Sequence, residues 1–80
     1  MELELLLFGV TKDIIGPSPY SYKLTTGTTA NDLIESLIEK YPSLANLNSL
    51  AVAVNGEYAS RQTQLKTGDE IALIPPVSGG

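Results

Sequence analysis

An α+β fold, with one main helix packed across a mixed β-sheet, is what this chain predicts, and three observations predict it. Two segments in the first third of the chain, Glu2 to Phe8 and Tyr20 to Leu24, alternate apolar and polar residues with the period of two that marks a half-buried strand. One stretch, Leu33 to Tyr41, carries its apolar residues at helical spacing. Between the apolar runs stand turn signals, of which Asn55-Gly56 is the strongest, because both central residues of a type I′ hairpin turn need positive φ.

In chain order, Glu2 to Phe8 is a first strand with Leu3, Leu5 and Leu7 on one face and Glu2, Glu4, Leu6 and Phe8 on the other. Lys12 to Pro17 reads as a loop, since Gly16-Pro17 punctuates strongly. Tyr20 to Leu24 alternates again and forms the second, antiparallel strand. Thr29 with Asp32 three residues on resembles a helix capping box. Leu33, Ile34, Leu37, Ile38 and Tyr41 then face the core, and Pro42 stops the helix. Ser43 to Ser49 is a polar connector with room for a helical turn.

Leu50 to Val54 is nearly continuous in apolar residues, as expected of a strand covered on much of both faces. Asn55-Gly56 turns it back into a short strand, Glu57 to Ala59. Leu65 to Glu70 is a turn into the last strand, Ile71 to Ile74, and Pro75-Pro76 ends it because proline donates no ladder hydrogen bond. The order is β-β-α-β-(β)-β, the β-grasp arrangement, with a domain over 1–74 and a flexible, extended tail over 75–80. A ferredoxin-like fold would need a second helical stripe.

Composition removes whole classes of function. The chain has 80 residues, one domain at most, too few to enclose a deep pocket easily. Nine acids against five bases, without a basic cluster, disfavour nucleic acid and anionic membrane surfaces as partners. The acidity reads as solubility, or as steering toward a basic partner. No cysteine and no histidine means no disulfide, thiolate site, imidazole base or standard triad, and no metal site is expected. Without a signal peptide or a bilayer-spanning apolar run, the expected location is the cytoplasm.

Side-chain chemistry is sparse. Glu35 and Glu39 share an exposed helix face, Asp69 is a turn residue, and Arg61 stands apart from any glycine-rich phosphate loop. What remains is Pro75-Pro76-Val77-Ser78-Gly79-Gly80. Six extended residues reach roughly 20 Å, and glycine without Cβ enters a narrow channel and takes backbone angles closed to other residues. A carboxylate at Gly80 is an accessible reactive group once an ATP-dependent partner converts its oxygen into a leaving group.

Gly68-Asp69-Glu70, the apolar strand to Ile74 and Pro75-Pro76-Val77-Ser78-Gly79-Gly80 closely resemble the end of the molybdopterin synthase small subunit family, ubiquitin-like sulfur carriers. Ala51 to Gly56 is similar to that family's central strand and hairpin, and Leu5 to Gly16 to its opening strand and following loop. The resemblance implies that an E1-like enzyme uses ATP to adenylate the Gly80 carboxylate, and that a sulfur donor protein then supplies sulfur to form a C-terminal thiocarboxylate (thioglycine). It implies that Pro75, Pro76, Val77, Ser78 and Gly79 enter a channel of the large subunit. There sulfur passes to a cyclic pterin precursor, twice, to form the molybdopterin dithiolene. It further implies a heterotetramer, no bound cofactor, and catalytic side chains on the large subunit alone. Sulfur carriers for thiamine or tRNA thiolation, a protein modifier forming lysine isopeptides, and an interaction module with an inert tail are the alternatives.

Strand parity nominates a docking patch. Leu3, Leu5, Leu7, Val52, Val54, Ile71 and Leu73 share the core face, whereas Phe8 and Ile74 have the opposite parity and Tyr58 follows the hairpin near them. These three form either a partner interface or a second small cluster under a loop.

Overall fold

The computed structural model describes residues 1–47 and 50–75. Its elements are β1 (Glu2–Leu7), α1 (Val10–Ile15), β2 (Tyr20–Lys23), α2 (Ala30–Lys40), a 3₁₀ turn (Pro42–Asn46), β3 (Ala51–Val54), β4 (Glu57–Ala59) and β5 (Glu70–Ile74). The strands form one five-stranded sheet in the order β2-β1-β5-β3-β4. β1 and β5 run parallel, and every other pairing is antiparallel. This is the β-grasp arrangement, with the last strand at the centre.

The core follows from the strand alternation. Leu3, Leu5, Leu7, Val52, Ile71 and Leu73 point to one face of the sheet, where Ala30, Leu33, Ile34 and Leu37 of α2 cover them. Val54, Ile38 and Tyr41 lie at its margin, partly buried. Leu24, Leu44, Leu50 and Leu65 close its ends. Each fully buried Leu or Ile contributes about 1.5–3 kcal/mol relative to exposure.

α2 begins as its sequence dictates. The Thr29 hydroxyl accepts the Asp32 N–H at 3.1 Å, and the Asp32 carboxylate accepts the N–H groups of Thr29 and Thr28 at 3.1 and 2.9 Å. The next orphan donors of the first turn are taken by the connection between β4 and β5: Ala30 N–H donates to Thr63 O and Asn31 N–H to Arg61 O, each at 2.9 Å. The Arg61 guanidinium also donates to Asn31 Oδ1 at 3.2 Å. Arg61 thus braces the helix start.

The expected loop at Lys12–Pro17 is instead mostly helix, α1. Its residues Val10, Thr11, Ile14 and Ile15 are β-branched and its N-cap is Gly9, so local propensity is weak. Tertiary contacts decide the matter. Thr11 is fully buried, and Ile14 and Ile15 pack against the core. β1 also ends at Leu7 rather than Phe8, because the Phe8 N–H leaves the ladder and donates to Thr11 Oγ1 at 3.0 Å.

Asn55 has φ 51° and Gly56 φ 88°, the two positive values that a type I′ turn requires. The connector after α2 holds the 3₁₀ turn, with Asn48 and Ser49 outside the described residues. Of the predicted tail only Pro75 is described; Pro76, Val77, Ser78, Gly79 and Gly80 lie outside.

Candidate functional site

β5 carries the chain toward Pro75 from the middle of the sheet, so the strands beside it set the surroundings of the tail root. On the face away from α2, register aligns Leu6 with Ala72, Ala72 with Ala53, and Ala53 with Tyr58. One row further toward the root, Ile74 stands opposite Ala51. Phe8 follows Leu7, whose partner is Leu73, and therefore flanks Ile74. The outer face is apolar from Tyr58 to Phe8.

Phe8 is 49 % exposed and Tyr58 78 % exposed, while Ile74 is half-buried between them. Val10, two residues after Phe8 at the start of α1, is a further exposed aliphatic side chain. The strand and loop read from the sequence, Glu2–Phe8 and Lys12–Pro17, left Val10 between them unassigned. At the other end of the same face stand Glu2, Glu4 and Glu70, all exposed, with Glu4 and Glu70 directly paired. The face thus runs from an apolar end at the tail root to an acidic end, a pattern that suits a partner with an apolar patch bordered by bases.

The turn between β1 and α1 abuts the root. Gly9 has φ 54° and ψ −130°, and a Cβ on it would meet Pro75 Cγ at 3.3 Å. Thr11 Oγ1 donates to Phe8 O at 2.6 Å, and Leu73 O lies 3.5 Å from the same hydroxyl.

The remaining polar groups serve structure. Asp69 accepts from Lys66 N–H at 2.8 Å and from Asn55 Nδ2 at 3.0 Å, and these bonds hold its carboxyl below the usual carboxylate range, the Asn55 bond most. Asp32 is lowered likewise, first by the Thr29 N–H and then by that of Thr28. Glu35 and Glu39 line an open groove of about 570 Å³ between β2 and α2, with Tyr22, Ser36 and Lys40. Beside it, the Tyr20 and Tyr41 hydroxyls bond at 3.1 Å and Lys40 Nζ donates to Tyr20 Oη at 3.4 Å. Tyr41 and then Lys40 lower the Tyr20 phenol, and Tyr20 raises Lys40. The Tyr22 hydroxyl bonds Ser36 Oγ. This cluster lies on the helix side, away from the tail root.

Among the described residues no group of acids could hold a metal ion, and no helix is long and apolar enough to cross a membrane. No buried side-chain polar atom among them lacks a hydrogen-bond partner.

A β-grasp domain with an apolar outer face at the root of a Pro-Pro-Val-Ser-Gly-Gly segment defines a class, the small ubiquitin-like carriers. The ThiS family profile matches residues 5–80, and the chain belongs to that family. It is 35 % identical to the molybdopterin synthase sulfur carrier subunit of Arabidopsis thaliana, over all of this chain and 84 % of that one. To the subunit of the same name from Dictyostelium discoideum it is 40 % identical, over 99 % of this chain and 96 % of the relative. Among solved structures, small archaeal modifier protein 1 of Haloferax volcanii is 26 % identical with a TM-score of 0.79, covering 95 % of this chain and 98 % of that one. The complex of subunits 1 and 2 of molybdopterin-converting factor from Helicobacter pylori includes a chain 27 % identical with a TM-score of 0.64, and each chain is covered in full.

Proposed function

We propose that this chain is the sulfur-carrying small subunit of a molybdopterin synthase and acts through the Gly80 carboxylate. The observation that carries the reading is full-length likeness, 35 and 40 % identity, to relatives bearing that name, with the family match running through residue 80.

A Gly80 carboxylate oxygen attacks the α-phosphorus of ATP on an E1-like enzyme, and pyrophosphate leaves. The outer sulfur of a donor protein's persulfide then adds to the acyl carbon and AMP leaves; a second thiol cleaves the resulting acyl disulfide, which releases the thiocarboxylate and leaves a disulfide between that thiol and the donor. In the synthase the thiocarboxylate sulfur attacks an electrophilic carbon of the cyclic pterin precursor, a C–S bond forms, and the oxygen substituent of that carbon leaves. Water cleaves the resulting thioester, so sulfur stays on the pterin and Gly80 returns to carboxylate. A second chain supplies the second sulfur of the dithiolene.

The large subunit docks on the apolar face of Phe8, Tyr58 and Ile74 and takes Pro75 to Gly79 into a channel, within a cytoplasmic heterotetramer. Support for this surface comes from its exposure beside the tail root and from the two-subunit assembly of the Helicobacter pylori relative. A chain without His or Cys leaves catalytic acid–base work to that partner.

The second reading is a protein modifier, favoured by the likeness to small archaeal modifier protein 1. Intact-mass and peptide mass spectrometry of the chain isolated from its cell separates the two. A carrier shows one oxygen replaced by sulfur at Gly80; a modifier shows Gly80 joined to lysine in other proteins.

A further inference from the structure

We infer that the Gly9–Thr11 turn is a positioning device for sulfur transfer, an inference that rests on the carrier reading above. It fixes the root of the tail relative to the docking face, and Thr11 and Gly9 act through Pro75 and Phe8 rather than on the reacting atoms.

Three features of the turn converge. Among the described residues Thr11 is the one polar residue that is buried, at a position where valine would fill the same volume. Its Oγ1 accepts the Phe8 N–H at 3.0 Å and donates to Phe8 O at 2.6 Å, while its own N–H donates to that oxygen at 3.1 Å. Both backbone groups of Phe8 are therefore bound to one residue, which sets how the exposed ring leaves the sheet. The Leu73 carbonyl lies 3.5 Å from the same hydroxyl, which seats this unit against β5 two residues before Pro75.

Gly9 completes the device. Its angles are those of the first central residue of a type II′ turn, which glycine alone adopts without strain. The space a Cβ would occupy is the space against Pro75 Cγ, at 3.3 Å. Any larger residue both strains the turn and presses on the proline. Pro75 has a fixed φ, so a push at its ring is passed on as a change in direction of the chain that follows. A docked partner reads two things at once, the Phe8 ring and the direction of the tail, and this turn holds them in one geometry.

The test uses the full chain with Thr11→Val, Thr11→Ser and Gly9→Ala. The isolated chain is followed by NMR, where the wild type should show a Gly9 Hα to Pro75 ring-proton contact. Each variant is then thiocarboxylated and mixed with saturating molybdopterin synthase large subunit and cyclic pterin precursor. At a temperature where thermal melts show every variant folded, Thr11→Val and Gly9→Ala should lose the NMR contact. Both should also transfer sulfur at least tenfold more slowly at saturation, and Thr11→Ser should restore contact and rate. A purely structural role would lower the melting temperature but leave the rate per folded molecule unchanged. The inference is overturned if Thr11→Val and Gly9→Ala keep the contact, or lose it and transfer at the wild-type rate. If instead the thiocarboxylated wild type delivers no sulfur, the carrier reading fails by itself, and the NMR contact still decides whether the turn positions Pro75.

Discussion

Asn55 and Asp69, fourteen residues apart in sequence, are joined by a hydrogen bond from Asn55 Nδ2 to Asp69 Oδ1 at 3.0 Å. The other end of the same amide accepts the Glu70 N–H at 3.0 Å, and Asn55 N–H donates to Glu70 O at 2.8 Å. The hairpin turn after β3 is thereby clamped to the turn that launches β5. Gly68 and Asp69 also pair with β1 through Gly68 N–H to Glu2 O and Glu4 N–H to Asp69 O. The Gly-Asp-Glu segment is thus the structural foot of the strand that carries the tail.

Acid should loosen that foot. Asp69 and Asp32 both ionise more readily in the folded chain than when unfolded. A carboxyl with a depressed folded pKa contributes stability above its unfolded pKa of about 4, lost as pH falls through the folded value. Thermal melts from pH 7 downward should therefore show a falling melting temperature below about pH 4. Asp69→Asn should shrink that acid-dependent fall while lowering stability at pH 7. A wild-type melting temperature independent of pH across this window would contradict the assignment.

Gly27 offers a contrast in backbone cost. Its φ is 88° and an added Cβ would clash with the Asp32 carboxylate that caps α2. Gly56 has the same φ with nothing near its Cβ position. Gly27→Ala should destabilise by more than about 1 kcal/mol and by more than Gly56→Ala, because strain and a broken cap add. Thr29→Ala, which removes the capping hydroxyl alone, should cost about 1 kcal/mol. Urea titrations of the three variants give the order directly.

The outer face should matter to binding before it matters to folding. Tyr58→Asp and Phe8→Asp change exposed side chains, so melts of the isolated chain should move little, within about 0.5 kcal/mol. Titration against the large subunit should weaken by about 2 kcal/mol or more for at least one of them, as at an interface hot spot. Ile74→Asp, half-buried, should cost in both assays. Unchanged affinity in all three would remove this face from the mechanism.

Gly79→Val should leave docking of the domain intact and slow both adenylation and transfer. A β-branched side chain denies passage through a narrow channel and the angles that only glycine takes. Steady-state adenylation and single-turnover transfer, measured beside the binding titration, check this; normal rates with valine would mean that no narrow channel exists.

Much of this was legible in the sequence because the signals are local. The Thr29–Asp32 box, the Asn55-Gly56 turn and the alternation in β1 and β2 each specify their own geometry within a few residues. Parity alone put Phe8 and Ile74 on the face away from the helix. α1 was not legible, although Thr11, Ile14 and Ile15 do stand at helical spacing. A threonine in the leading apolar slot and a glycine in place of a capping side chain hide the pattern, and the buried hydroxyl finds its partners only in the fold. The Asn55–Asp69 clamp was hidden for the same reason. Asp69 announces a turn, but its second partner arrives from a different hairpin.

The central claim is that Gly80 hands sulfur to a pterin, and single-turnover transfer tests it most directly. Thiocarboxylated chain is mixed with molybdopterin synthase large subunit and cyclic pterin precursor, and chain and pterin are followed together by mass spectrometry. The account predicts that each chain exchanges its sulfur for oxygen at Gly80 while the pterin gains sulfur, with two chains consumed for each dithiolene formed. A thiocarboxylate that persists on a chain bound to its partner, with no sulfur on the pterin, would contradict it.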